Sequence, residues 1–180
     1  MPLLAFTEKD VATVSDALEI AEDVTANFFK FSTAQWKRHR YEVRTHGFLD
    51  GNETFEDVFA FIGKGFIARR DTGIKACLNE YYLICLQDHR ILSAAQRDQK
   101  VTLLPLLLYI FTHELIHIVR FCSFLHRFEA YPWEREREER LVHELTYRAL
   151  GGVSLPSLNY ILDSYTGHRM CEERINISIG

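Results

Sequence analysis

Cysteine is scarce in this chain and poorly spaced for its usual structural roles. There are four, Cys77, Cys85, Cys122 and Cys171, and no C-x-x-C pair. That excludes a zinc ribbon and gives little basis for a disulfide framework. Charge of one sign is also lacking. Twenty-one Lys and Arg against 25 Asp and Glu leave a net charge of -4, so composition does not point to nucleic acid. The opening residues, Met1 to Asp10, carry neither a basic stretch nor a long apolar run, so no signal peptide is expected. The longest apolar run, Leu103 to Phe111, is too short to span a bilayer and contains Pro105. Gly63-Lys64-Gly65 lacks the GxxxxGK[ST] pattern and a preceding strand, which excludes a P-loop. These absences leave a cytoplasmic protein as the expectation, with no membrane span and no nucleic-acid partner. They leave the oligomeric state open.

Core-forming residues are plentiful: 47% of the chain is hydrophobic and 13% aromatic, with thirteen Phe and eight Tyr. A length of 180 residues suits one domain. The stretch that carries chemistry is Thr112 to Phe121, which contains His113-Glu114-Leu115-Ile116-His117. Two histidines four residues apart rise one above the other on one helix face. They can form two corners of a tetrahedral zinc site. Glu114 lies about 100° round the helix from His113. It stands beside the metal, where a carboxylate can take a proton from an activated water. Leu106 and Ile110 share the face of the two histidines, so the helix is expected to be buried. Buried imidazoles need partners.

Taken in order, Thr7 caps a long amphipathic helix through Val11, Val14, Leu18, Ala21, Val24 and Phe28. Ser32-Thr33 starts a second helix, which carries Trp36, the basic cluster Lys37-Arg38-His39-Arg40, and then Arg44 and His46. The cluster reads as a solvated face sooner than as an anion patch. Gly47 and Asp50-Gly51-Asn52 mark a turn. Thr54 to Ile62 reads as a short helix ended by Gly63-Lys64-Gly65. Ile74 to Leu78 and Tyr81 to Leu86 read as a β-hairpin turning at Asn79-Glu80. Gln87 to Arg90 reads as a turn with His89 solvated, followed by a short strand at Ile91-Leu92-Ser93. The metal helix begins near Pro105 and can run on through Phe124 and Phe128. His126 lies nine residues beyond His117 with no glycine turn between them, which makes it a poor third ligand. Tyr131-Pro132-Trp133 interrupts, and Trp133 is expected in the core or on a cleft wall. Glu134 to Leu150 forms the next helix, stopped at Gly151-Gly152. Pro156 to Tyr165 reads as a short helix, and Thr166 to Gly180 as a tail or closing strand.

A catalytic zinc site needs three protein ligands and one open position. The helix after Trp133 offers Glu134, Glu136, Glu138 and Glu139. On a helical wheel Glu138 lies with Leu141, Leu145 and Ala149, where a buried carboxylate would want a cation. Glu139 lies with Val142, His143, Thr146 and Leu150, a face suited to a polar cleft.

HELIH followed about twenty residues later by a helix-borne glutamate resembles the gluzincin zinc metallopeptidases, and the plan is similar to that of the small minigluzincins. The resemblance covers roughly residues 70–150. It implies an α+β, mostly α, zincin-like fold: N-terminal helices, a small antiparallel sheet, the HExxH helix and a glutamate helix. On that plan residues 1–180 form one zincin-like domain. Residues 1–65 are its N-terminal helical region, 66–150 its metallopeptidase-like core, and 151–180 its C-terminal helix and tail. In the group the second motif often reads E-x-x-A-D or E-x-x-x-D, the first Glu being the ligand. Glu139-Arg140-Leu141-Val142-His143 fits it with Val for Ala and His for Asp. The resemblance therefore implies His113, His117 and Glu139 as zinc ligands, with Glu138 second in line to Glu139. His143 in place of Asp orients a ligand, faces the oxyanion or touches the metal. Tyr147, two turns beyond Glu139, is a second candidate for the oxyanion. The group's edge strand, which pairs with extended substrate, is expected here at Tyr81 to Leu86.

The function expected is a zinc-dependent metallopeptidase acting on a peptide or protein substrate, with Glu114 as general base. The N-terminal helix is the first segment to suspect of covering its cleft. A non-catalytic zinc-stabilised binding or sensor domain is the alternative, favoured if His143 supplies a fourth ligand. A di-iron site would need a second E-x-x-H, and neither Glu138 nor Glu139 has His three residues on.

Overall fold

Thr7 accepts a hydrogen bond from Asp10 N–H, and the Asp10 carboxylate accepts from Thr7 N–H at 2.9 Å. This reciprocal cap starts helix α1, Glu8–Phe29. In the computed structural model the described residues are 4–45, 58–68, 78–165 and 174–176. After α1 come α2 (Thr33–Arg38), β1 (Arg40–Arg44), β2 (Ala60–Ala68), β3 (Leu78–Leu86) and α3 (Asp88–Arg97). Then follow α4 (Leu103–Cys122), α5 (Pro132–Leu150), α6 (Leu158–Tyr165) and β4 (Arg174–Asn176). The architecture is α+β and mostly helical. The turn expected at Gly47 to Asn52, the residues before Val58, the first arm of the hairpin up to Cys77, and the tail beyond Tyr165 except β4 lie outside the described residues.

The sheet is mixed, not antiparallel. Its order is β1-β3-β2-β4, with β2–β3 antiparallel and both outer pairings parallel. Several expectations fail here for one reason: strands buried on both faces carry no polar alternation. Tyr82, Ile84 and Leu86 enter the main core, whereas Tyr81, Leu83 and Cys85 form a second cluster with Phe61 on the opposite face. The stretch read as a helix ending at Gly63-Lys64-Gly65 is instead β2 from Ala60, and both glycines sit inside it opposite Leu83 and Tyr81. The hairpin turn expected at Asn79-Glu80 is absent, because both residues lie within β3 and pair with Ile67 and Phe66. Glu80 is held in the sheet by Lys64 at 2.9 Å and by the Tyr82 hydroxyl at 3.0 Å.

The helix of Trp36 stops at Arg38. His39 has left helical geometry and Arg40 begins β1, so the basic cluster is split between a helix end and a strand. The turn and short strand expected over 87–93 are instead α3, with Ile91 and Ala94 in the core. Asp88 anchors the start of α3 by accepting a hydrogen bond from Phe6 N–H at 3.3 Å. His89 is a half-buried helix residue, not a solvated turn residue. The helical periodicity of α1 is real, and its buried positions Val14, Ala17 and Ala21 are small enough for α1 to lie close along α4. That contact is core packing, which removes α1 as a detachable cover.

α4 is buried along almost its whole length. By length and hydropathy it could cross a membrane, but 83% of its most apolar window is buried inside the fold. It ends at Cys122 and does not run on to Phe128. Pro132 opens α5, where its missing N–H costs no helical hydrogen bond. Trp133 is 64% exposed and so is not a core residue.

Candidate metal centre

α4 and α5 pack side by side, and the buried residues of α5 are Glu138, Glu139, Val142, His143, Thr146 and Leu150. Leu141, on the face that looked most apolar, is exposed. The inward choice brings Glu139 over the two histidines of α4. His113 Nε2 lies 3.1 Å from Glu139 Oε2, and His117 Nε2 lies 3.0 Å from Glu139 Oε1. The two Nε2 atoms are 3.2 Å apart.

Protons cannot satisfy all three contacts. An Nε2–H donated to Glu139 leaves that nitrogen no lone pair for its neighbour. An Nε2 that accepts from its neighbour turns a lone pair towards the carboxylate. One cation replaces the missing proton for all three groups. A tetrahedral zinc with bonds of about 2.0–2.1 Å has ligand–ligand edges of about 3.3–3.4 Å. The edges found here are a few tenths of an ångström shorter, so small side-chain shifts admit the ion. His143 joins the cluster: one ligand atom each from His113, Glu139 and His143 lie within 4.8 Å of one another, and all three residues are buried. A buried group of imidazoles and a carboxylate that can hold a metal ion is therefore present. His117 belongs to it by its shorter distances to His113 and Glu139.

Packing and a phenol hold the rings. His117 stacks on Phe121 with centroids 5.9 Å apart, and His113 stacks on Tyr109 at 6.4 Å. Neither Nδ1 of His113 nor that of His117 has a hydrogen-bond partner among the described residues. Tyr109 was not anticipated, although its place four residues before His113 puts it on the same helix face. Its hydroxyl is 2.8 Å from His143 Nδ1 and donates to the Tyr165 carbonyl at 3.4 Å. A phenol whose proton goes to that carbonyl accepts from His143 Nδ1–H, which leaves the lone pair on His143 Nε2. Glu114 is wholly buried beside His113. Tyr147, the other candidate for the oxyanion, is 44% exposed.

Glu138 has the cation its position demands. Arg120, three residues beyond His117, donates from Nε and Nη2, the latter at 3.0 Å, and His126 Nδ1 stands 3.6 Å away. Glu138 is thus engaged outside the centre, and His126 serves it there. β3, the strand expected to pair with substrate, is central: β1 takes one edge and β2 the other. Tyr81 to Cys85 therefore have no edge left for a peptide. A cavity of about 680 Å³ between α1, α2 and β1 is lined by Trp36, Lys37, Arg40 and Tyr41 but by none of the metal-facing residues.

The electrostatics make the centre acid-sensitive. Burial pushes the His113 pKa below its ordinary 6.5, despite the opposing pull of Glu139. Burial pushes the Glu139 carboxyl up, but the charge of His117 and hydrogen bonds from His113 and His117 outweigh it and hold the carboxyl well below its ordinary 4.5. In both cases the unfolded chain binds the proton first on acidification, so stability falls. Metal-free protein should lose stability as pH drops below about 6.5 through His113, and again below about 4.5 through Glu139. Urea midpoints measured from pH 8 to pH 4 should fall monotonically; a flat profile would contradict this.

The chain matches no protein-family model, no curated protein and no solved structure.

Proposed function

We propose that the chain is a small zinc-dependent metallopeptidase of zincin-like, gluzincin-like design. The observation that carries this reading is the closed triangle of His113, His117 and Glu139 at 3.0–3.2 Å, with Glu114 next to it on the same helix. Zinc held there supplies Lewis-acid polarisation of a carbonyl and brings water's pKa towards neutrality. Glu114 takes the proton of the attacking water on a carboxylate oxygen. As the water oxygen bonds to the carbonyl carbon and the C–N bond breaks, Glu114 delivers that proton to the leaving amine nitrogen. His143 lies within reach of the same residues; as an imidazolium, with Nδ1–H given to Tyr109 and Nε2–H to the carbonyl oxygen, it can stabilise the negative charge that develops there.

The burial of His143 within reach of His113 and Glu139 favours a second reading, a zinc-stabilised binding or sensor domain in which His143 is the fourth ligand. Cobalt substitution and a peptide-library digest separate the two. Both readings require about one metal ion per chain. The peptidase reading requires cleavage by zinc-loaded protein that stops on chelation. A four-ligand cobalt spectrum that His143→Ala changes, with no cleavage, establishes the second reading.

A further inference from the structure

A phenol ties His143 to the C-terminal helix. Tyr109 is 1% exposed, so its hydroxyl has to be satisfied inside the protein. Two neighbours compete for its proton: His143 Nδ1 at 2.8 Å and the Tyr165 carbonyl at 3.4 Å. A carbonyl only accepts, whereas an imidazole nitrogen donates or accepts according to the tautomer. Two arrangements follow from one phenolic proton. When it goes to the carbonyl, Tyr109 accepts from His143 Nδ1–H, and Nε2 carries the lone pair. When it goes to Nδ1, His143 holds its own proton on Nε2 and presents a donor where a metal needs a lone pair.

Helix α6 places the carbonyl that decides between them. Tyr165 is the last residue of α6, and the last carbonyls of a helix have no N–H within that helix to bond. α6 packs on α4, and Leu158, Ile161 and Leu162 bury it in the main core. The Tyr165 ring meets Phe59 edge-on with centroids 5.5 Å apart and lies 6.4 Å from the Tyr109 ring. Phe59 is fixed in turn by its own carbonyl, which accepts from Gln87 N–H at 2.8 Å. Of the two links at the phenol, the 3.4 Å one is the longer and so the weaker. It is also the one that depends on how α6 is seated.

We propose that Tyr109 is the positioning residue of His143, and that the Tyr165 carbonyl at the end of α6 sets it. The docked helix keeps the His143 proton on Nδ1 and leaves Nε2, on the far side of the ring from the phenol, to the metal centre. Outer partners of metal-facing histidines act in this way, fixing the tautomer through the other ring nitrogen. Residues 158–165 thereby take a part in a centre whose metal-facing side chains all belong to α4 and α5. The inference rests on the surroundings of His143 and on neither reading of the centre. A fourth ligand and an imidazolium facing a carbonyl oxygen both act through Nε2, and both give Nδ1–H to Tyr109.

The test reads the tautomer directly. The metal-free full chain, its histidines labelled with nitrogen-15, is studied at pH 8 by long-range proton–nitrogen correlation, with His143→Gln assigning the signals. His143 should show a protonated Nδ1 and an unprotonated Nε2. Tyr109→Phe keeps the ring but removes the acceptor, and should move the proton to Nε2 in most molecules. Tyr165→Phe keeps both ring and carbonyl, and should change nothing. Tyr165→Ala keeps the carbonyl but unseats it, and should give a mixture of tautomers. A merely structural tyrosine would lower the thermal midpoint and leave the tautomer as it was. Nε2–H in the folded wild type overturns the proposal, as does Nδ1–H retained in Tyr109→Phe. A wild-type tautomer in Tyr165→Ala overturns the role of α6. Should Tyr109→Phe fail to fold, the wild-type and Tyr165→Ala spectra still decide. Zinc added to the same samples tests the centre separately: failure to bind it would refute the metal site, while the tautomer would still decide the proposal.

Discussion

Glu114→Gln should keep zinc in place and abolish peptide hydrolysis. The amide has the size and shape of the carboxylate, so a wholly buried position is not emptied. What is lost is the oxygen that takes a proton. General-base catalysis alone contributes roughly 10²–10⁴-fold, and groups that act as a unit cost more when one is removed. Turnover in the peptide digest should therefore fall by several orders of magnitude, with metal content unchanged and the thermal midpoint nearly so. Cleavage that persists in Glu114→Gln would belong to a contaminant or another mechanism. Silence from wild type and variant alike favours the zinc-stabilised binding domain. Deleting residues 8–30 to uncover a cleft is not a useful control, because Val14, Ala17 and Ala21 of α1 are built into the core.

The second large effect separates two adjacent glutamates by kind. Glu139→Ala removes a carboxylate that meets both histidines, so zinc affinity should fall by more than the roughly 10–100-fold seen on losing an outer partner. Glu138→Ala should leave the metal in place and destabilise the fold by about 3–5 kcal/mol, the usual cost of stranding one member of a buried ion pair. The stranded group is Arg120, whose side chain is only 12% exposed. Replacing both partners, Arg120→Met with Glu138→Leu, should recover most of the loss, since an apolar pair needs no counter-charge. Zinc competition against a chromophoric chelator reads the first effect, and urea denaturation of metal-free protein reads the second. If Glu138→Ala strips the metal at unchanged stability, the assignment of the two glutamates is wrong.

What the chain disclosed in advance follows the physics of each element. α1 and α4 were legible because an apolar stripe at helical spacing or a continuous apolar run met a cap or a breaker at its ends. The centre was legible because His113 and His117 are four residues apart and because Glu139, not Glu138, has a polar residue one turn on. Glu138 did need a cation, as its place on the helical wheel implied, and Arg120 is it. Leu141 nevertheless lies at the surface, because α5 turns Glu138 and Glu139 inward together. Tyr81 to Leu86 was legible as a strand, but β2 was read as a helix and the start of β3 as a turn, because the central residues of both strands are buried on both faces and show no alternation. α3 was missed because its short run is polar on one side and opens with Gln87 and Asp88, residues that also suit turns. Tyr109 was readable from its spacing to His113, but an apolar helix gave no reason to look for a hydroxyl.

The parallel pairing of β1 with β3 has a kinetic consequence. Arg40 pairs with Tyr81, and Ile62 pairs with Arg174, so the sheet closes through contacts distant in sequence. Such contacts bear loop-closure entropy before they return any stability, and they slow folding. The metal-facing residues, by contrast, all lie between His113 and His143 on two consecutive helices. The helical pair can therefore assemble as a local hairpin while the sheet is still open, and an ion captured at that stage would act as a folding nucleus. Zinc added before refolding should then accelerate the main folding phase, whereas zinc added afterwards should only slow unfolding.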